Sequence, residues 1–366
     1  MDASYPRFFL GANAPGGFVS RFDHLYSPQE GWFAYILKGG PGTGKSSLMK
    51  RAAEEAHCAN IPVELIHCSS DPDSLDAVIF PRCKACIVDG TAPHTLDPRY
   101  PGVADAIVNL GECWDGAQLE AARTQIIQAS EKTSGYHQRA QRYLAACGAL
   151  QDDCHRMIRA GLDLDKLQRF AANLCKRLFS KAGGAPGRET VRLISAVTPE
   201  GIVYYEDTLK QFCDYIYVIE DEFDSMGSVL LEQIRDKALL AGADVISCYC
   251  PMSPLKRIEA LIIPSINFAF AVANSWHPLS GITPYRRIHA RRFLKAGLVS
   301  ARRQKLGFNR RISRALLAEA VTNLRLAKET HDELEAFYER SMDYSKVDAI
   351  YDSLIADIFR RSCFSD

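Results

Sequence analysis

Gly39-Gly40-Pro41-Gly42-Thr43-Gly44-Lys45-Ser46 satisfies every fixed position of the pattern G-x-x-x-x-G-K-[ST]. Glycines let a backbone turn with its N–H groups facing inward, where they can wrap a chain of phosphate oxygens. Lys45 would then reach the β- and γ-phosphates, the Ser46 hydroxyl would take a place on Mg2+, and the positive end of the following helix would face the anion. The flanks agree with this. Phe33-Ala34-Tyr35-Ile36-Leu37 is an apolar, β-prone run directly before the loop, and Ser47 to Ala56 is rich in Leu, Met, Lys, Ala and Glu. Strand, loop and helix follow in the required order, and the phosphate-holding set is Gly39, Gly40, Pro41, Gly42, Thr43, Gly44, Lys45, Ser46 and Ser47.

Such a loop works with an acid at the end of a buried strand, which holds Mg2+ directly or through water. Ala85-Cys86-Ile87-Val88-Asp89 supplies one. The residue after it is Gly90, where many ATPases of this type carry a glutamate that orients the attacking water, so hydrolysis is expected to be slow or to take its base from elsewhere. The stretch His67-Cys68-Ser69-Ser70-Asp71-Pro72-Asp73-Ser74 offers Asp71 and Asp73 for metal, water or a substrate hydroxyl. Thr91 and His94 are candidate sensors of the γ-phosphate.

The 366 residues exceed one average core, and two units are expected. Self-comparison supplies them. Ala14-Pro15-Gly16-Gly17-Phe18-Val19 recurs as Thr198-Pro199-Glu200-Gly201-Ile202-Val203, and Tyr35-Ile36-Leu37 as Tyr217-Val218-Ile219. Asp163, Lys166, Leu174 and Phe179 correspond to Asp343, Lys346, Leu354 and Phe359. The expected layout is a nucleotide-binding unit over 1–180, with an α/β core at about 8–110 and a helical extension at about 115–180. A Gly- and Pro-rich linker at 181–191 follows, then a degenerate unit over 192–366, with its core at about 192–284 and a basic, helical extension at about 285–366. The fold class is α/β: two tandem P-loop NTPase-like units, each a mostly parallel sheet flanked by helices.

The copies part company at the loop itself. Gly39 to Ser46 aligns with Asp221-Glu222-Phe223-Asp224-Ser225-Met226-Gly227-Ser228, with Glu220 just before it. The lysine is replaced by Gly227, and carboxylates stand where phosphates would sit, so the second unit is not expected to bind nucleotide in the same way.

Composition is that of a soluble globular protein, 47% hydrophobic and 24% charged, and no start resembling a signal peptide or apolar span is read, which sets the expectation of a cytoplasmic protein off the membrane. The twelve cysteines are expected as free thiols; Cys83-Lys84-Ala85-Cys86 has metal-site spacing but no second pair. A net charge of zero hides an asymmetry. No carboxylate stands between Glu259 and Glu319, where Arg286, Arg287, Arg291, Arg292, Arg302, Arg303, Arg310, Arg311 and Arg314 cluster. The stretch 286–314 is therefore a candidate surface for nucleic acid or another polyanion.

With Gly39–Ser46, Cys68-Ser69-Ser70-Asp71-Pro72-Asp73-Ser74-Leu75-Asp76 and Val88-Asp89-Gly90-Thr91-Ala92-Pro93-His94 in view, nearly the full chain resembles a bacterial family of tandem, duplicated P-loop ATPases. Some members keep a phosphate loop in both halves, which this sequence does not. The resemblance implies ATP binding through Gly39–Ser46 with Asp89 as the metal-side acid, and gives no biological role. The expected activity is Mg2+-dependent ATP binding with slow hydrolysis, using Lys45, Asp89 and Asp71 as the catalytic set and Ser46 and Asp89 for metal, with the second unit regulatory or scaffolding. The alternatives are a nucleotide or small-molecule kinase with Asp71 or Asp73 as base, and a nucleotide-gated polyanion binder.

Overall fold

Four residues, Pro81-Arg82-Cys83-Lys84, separate two fully apolar strand ends, and they fix the character of the sheet. A parallel neighbour needs a crossover of a dozen or more residues, so this connection can only return antiparallel. Lys84 closes the turn in the left-handed region at φ 46°. The structure is a computed structural model that describes residues 5–179, 185–223 and 226–362.

In chain order the first copy contributes β1 (Arg7–Phe9), β2 (Gly11–Ala14), β3 (Gly17–Ser20), β4 (Phe33–Lys38), α1 (Lys45–Cys58), β5 (Glu64–His67), β6 (Leu75–Phe80), β7 (Ala85–Asp89), β8 (Asp105–Asn109), α2 (Gly116–Ala121), α3 (Arg123–Arg159) and α4 (Leu164–Leu178). The second contributes β9 (Glu189–Arg192), β10 (Ser195–Thr198), β11 (Gly201–Tyr204), α5 (Asp207–Phe212), β12 (Tyr215–Glu220), α6 (Gly227–Leu240), β13 (Val245–Tyr249), β14 (Ile258–Ile263), β15 (Phe268–Ala273), β16 (Arg286–His289), α7 (Leu298–Ala301), α8 (Arg303–Glu339) and α9 (Tyr344–Ser362).

The first sheet has the order β1-β5-β6-β7-β4-β8 and the second β9-β13-β14-β15-β12-β16, the same arrangement twice. In each, three pairings are parallel and the two made by the inserted hairpin strand, β6 or β14, are antiparallel. The expected mostly parallel sheets are therefore mixed ones. The second hairpin repeats the first down to its turn, where Asn267 at φ 60° takes the place of Lys84. The recurring Pro-x-Gly motifs close two small two-stranded ribbons, with Gly17 at φ 117° and Gly201 at φ 110°. Of the expected linker, 181–184 lie outside the described residues, while Glu189–Arg192 is strand β9, paired in parallel with β13.

The compact units do not coincide with the two segments expected from the sequence. One comprises Tyr5–Gly11, Ser20–Ala140 and the chain from Val321 on; the other comprises Ala12–Val19 and Gln141–Ala320. The helices that end the copies are exchanged. Val347, Tyr351, Leu354, Ile355 and Ile358 form one stripe of α9, and they share a core with Leu48, Met49 and Ala52 of α1 and with Tyr35, Leu37 and Ile87 of the first sheet. Reciprocally, Leu167, Ala171, Leu174 and Cys175 of α4 pack with Leu230, Leu231 and Ile234 of α6 and with Ile219 and Phe270 of the second sheet. Main-chain bonds hold both exchanges at corresponding places. Asp115 N donates to Ser341 O at 2.7 Å and Asp343 N to Cys113 O at 2.7 Å; Asp163 N donates to Phe293 O at 2.8 Å and Lys295 N to Gly161 O at 2.9 Å.

The helical extensions thus serve as core. Among the described residues, no helix is long and apolar enough to cross a membrane, and the eleven described cysteines are free. Ile358, fully buried at the far end of the α9 stripe, tests the exchange: Ile358→Ala should cost about 2–5 kcal/mol, read as a lower urea midpoint by circular dichroism. An unchanged midpoint would place α9 elsewhere.

Candidate functional site

Parallel pairing of β4 with β7 sets Leu37 opposite Asp89, and Gly90 N donates to Leu37 O at 3.0 Å, so the two strands end side by side. The glycine loop leaves β4 at this edge and closes on α1, whose first residue is Lys45. Gly42 at φ 66° and Gly44 at φ 85° make the turn in a region that a side chain disfavours. Thr43 Oγ1 donates to Gly40 O at 2.8 Å and braces it.

Lys45 Nζ lies 2.7 Å from Gly40 O, 3.1 Å from Gly39 O and 3.6 Å from Asp89 Oδ2. The other Asp89 oxygen accepts from Thr91 N at 2.9 Å and Thr91 Oγ1 at 2.6 Å, which fixes the carboxylate's orientation. Ser46 Oγ accepts from Leu75 N at 3.0 Å, leaving its proton and a second lone pair. A hydroxyl and one carboxylate suit Mg2+, which keeps most of its shell as water and phosphate oxygens. Among the described residues there is no group of three or more His, Cys, Asp or Glu that would hold a metal by itself. Ser47 is exposed on the first turn of α1, and Pro41 is half-buried.

The absence of a glutamate after Asp89 has a steric reason. A Cβ on Gly90 would lie 2.4 Å from Ile36 Cγ2 and 2.9 Å from Leu96 O. Asp71 and Asp73 lie in the turn after β5; Asp73 is exposed, while Asp71 accepts from Ser74 Oγ at 2.7 Å and stands 3.7 Å from Lys328 Nζ. His94 is buried, stacked on Phe22 with ring centroids 4.6 Å apart, and 3.9 Å from Asp76.

Asp76 was quoted in the sequence without a role. It sits in the all-buried strand β6, where burial pushes its carboxyl up to about 6; the charge of Asp89 adds to this, and His94 and Lys45 oppose it. The signal that could have found it is an acid inside an apolar run in both copies, since Glu259 of β14 stands at the matching position, 3.8 Å from His277. Also missed were the side chains that the exchanged helices bring to the loop. A Cβ on Gly40 would meet the Tyr338 ring at 2.7 Å, and one on Gly42 the Glu335 carbonyl oxygen at 2.5 Å. Tyr344 hydroxyl donates to Gly42 O at 3.5 Å. Nothing in linear order places residues 335–344 near residue 42.

In the second unit the corresponding place is filled from within. Asp221, 1% exposed, accepts through Oδ2 from Met226 N at 2.7 Å and Gly227 N at 2.8 Å, the amides that align with Gly44 and Lys45. A Cβ on Gly227 would lie 2.6 Å from Val272 Cγ2, so the lysine position has no room for a side chain without movement. Arg291 and Arg310 bind Glu222, and Arg287 and His289 bind Glu220. Against the effect of burial, hydrogen bonds from these partners and the charges of the arginines hold both carboxyls below their ordinary range. Part of the Arg-rich stretch is thereby neutralised by Glu222, which stands where Gly40 does, and by Glu220 just before it. Asp224 and Ser225 lie outside the described residues.

No protein-family model, no curated protein and no solved structure matches this chain.

Asp76 gives the site a pH signature. With a folded value near 6 against an ordinary 3.8, protonation favours the fold, so its stabilising contribution is complete below about 3.8 and lost as pH rises through 6. Asp76→Asn stays neutral throughout; its stability relative to the parent should rise by about 2 kcal/mol between pH 4.5 and 7.5, measured by urea denaturation. A pH-independent difference would remove the buried-acid reading.

Proposed function

We propose that the unit built on the first sheet is a Mg2+-dependent ATP-binding P-loop NTPase that hydrolyses slowly, and that the second unit is a degenerate copy with a regulatory or scaffolding role. The observation that carries this is the meeting of Lys45, Asp89 and the left-handed glycine turn at the ends of two adjacent parallel strands, ahead of a 14-residue helix. A loop of inward amides followed by a helix N-terminus is suited to an oligophosphate. On this reading Lys45 exchanges the Gly39 and Gly40 carbonyls for phosphate oxygens, and Ser46 and Asp89 hold the metal, which neutralises charge developing on the phosphates.

Slow turnover follows from the tight packing at Gly90, which excludes the usual water-orienting acid. The likeness to tandem P-loop ATPases supports the same reading. For the kinase alternative, Asp71 would have to leave Ser74 and Lys328 before serving as a base. For polyanion binding, Arg287, Arg291 and Arg310 would have to leave Glu220 and Glu222.

Calorimetry with ATP should show binding that needs Mg2+ and is lost in Lys45→Ala, with turnover on the order of 10⁻³ s⁻¹, the scale of a P-loop enzyme lacking a charge-stabilising partner. Magnesium-independent binding, or normal binding by the alanine variant, would overturn the assignment.

A further inference from the structure

The phosphate-facing side of the glycine loop already carries an anion. Gly42 N donates to Glu335 Oε1 at 3.4 Å, and His331 Nε2 lies 3.5 Å from the same oxygen. His331 and the Gly42 amide together hold the Glu335 carboxyl below its ordinary range despite burial, so it is charged at neutral pH. The helix that bears it is closed onto the loop. The Glu335 carbonyl and the Glu339 side chain abut Gly42, and the Tyr338 ring abuts Gly40 and packs at 5.7 Å from Trp114. Two turns earlier on α8, Lys328 stands between Asp332, at 2.9 Å, and Asp71. An entire face of the C-terminal half of α8, residues 328 to 338, is thus set against the loops that would surround a nucleotide's terminal phosphates.

An amide that donates to a carboxylate is not available to a phosphate. A carboxylate beside a triphosphate also repels it, the more strongly where water is thin. Resting on the nucleotide-binding reading above, we propose that Glu335 is a residue of that site which competes with the nucleotide: it occupies the Gly42 amide as an internal stand-in for phosphate, and MgATP binds by displacing it. The second unit shows the same chemistry carried to completion, because there Asp221 accepts from two amides of the aligned loop in a fully enclosed position. The difference is one of reversibility. Glu335 side chain is 37% exposed and approaches from a helix surface, so it can swing to solvent, whereas Asp221 lies within the loop that it caps.

Competition makes a prediction opposite in sign to that for a catalytic base or a simple contact residue. In Glu335→Ala the binding-competent loop no longer awaits removal of the carboxylate, so MgATP should bind about tenfold tighter or more by calorimetry. Glu335→Gln keeps an acceptor for Gly42 without the charge and should fall between parent and alanine. Glu333→Ala, at an exposed position on the same helix, should leave affinity unchanged. Alanine is a strong helix former, and an unchanged melting curve confirms that each variant is folded. Affinity equal to or weaker than the parent's in folded Glu335→Ala overturns the competition while leaving the nucleotide site intact, as does a loss of turnover at constant affinity. If neither parent nor Glu335→Ala binds MgATP, the nucleotide reading fails and takes the competition with it; binding by the alanine variant alone supports both.

Discussion

The constraint on which the structure rests is that neither sheet is fully covered by its own copy of the repeat. Tyr35, Leu37 and Ile87 present an apolar face that α1 shields in part, and the α9 stripe from Val347 to Ile358 completes the core. Each stretch that precedes an exchanged helix is pinned by main-chain bonds at the far end of the other copy's sheet, Cys113–Asp115 to Ser341–Asp343 and Gly161–Asp163 to Phe293–Lys295. Exchange of equivalent elements is familiar between protomers as domain swapping; here a duplicated chain performs it on itself. The consequence reaches the candidate site directly, because the turn between α8 and α9 that results from the exchange brings Glu335, Tyr338 and Tyr344 to the glycine loop.

Much of the first sheet was legible in the sequence. β4, the loop, α1 and β7 form where apolar runs and helix formers predict them, because each signal is local. The hairpin strand β6 was not legible, since Asp76 interrupts its apolar pattern and its direction depends on the short return to β7. The partition into units was not legible either. Internal similarity reports which segments share ancestry and says nothing about which sheet a terminal helix covers. An α4 stripe of Leu167, Ala171 and Leu174 fits either apolar face equally well on paper.

Of the candidate site, the residues within one loop or one strand end were readable: Lys45 and Asp89 converge as their positions in the two motifs require. Residues joined only by tertiary structure were not. Asp71 is read in the sequence as a candidate for metal, water or a substrate hydroxyl, and the structure pairs it with Lys328 from α8. The basic stretch was read by composition, and its ionic partners Glu220 and Glu222 were read separately as the acids that spoil the second loop; the two observations are one network.

Comparison of the two copies also separates architecture from chemistry at the loop. Ser46 Oγ accepts from Leu75 N, and Ser228 Oγ accepts from Ile258 N at the matching place of a loop that lacks the lysine and the glycines aligned with Gly39, Gly40, Gly42 and Gly44. The serine therefore earns its place in both copies by tying the helix start to the hairpin strand, and its presence alone does not mark a metal site. The buried acid–imidazole pairs, Asp76 with His94 and Glu259 with His277, recur in the same way and belong to the shared architecture. What differs between the copies is the source of the carboxylate that meets the loop amides. Asp221 satisfies the amides of the second loop permanently, and Gly227 packs against Val272 where a lysine would need space. The first loop keeps Lys45, and its Gly42 amide is met by a carboxylate borrowed from a helix surface. A carboxylate held inside the loop in one copy, and one reaching it from a helix surface in the other, is the physical difference between them.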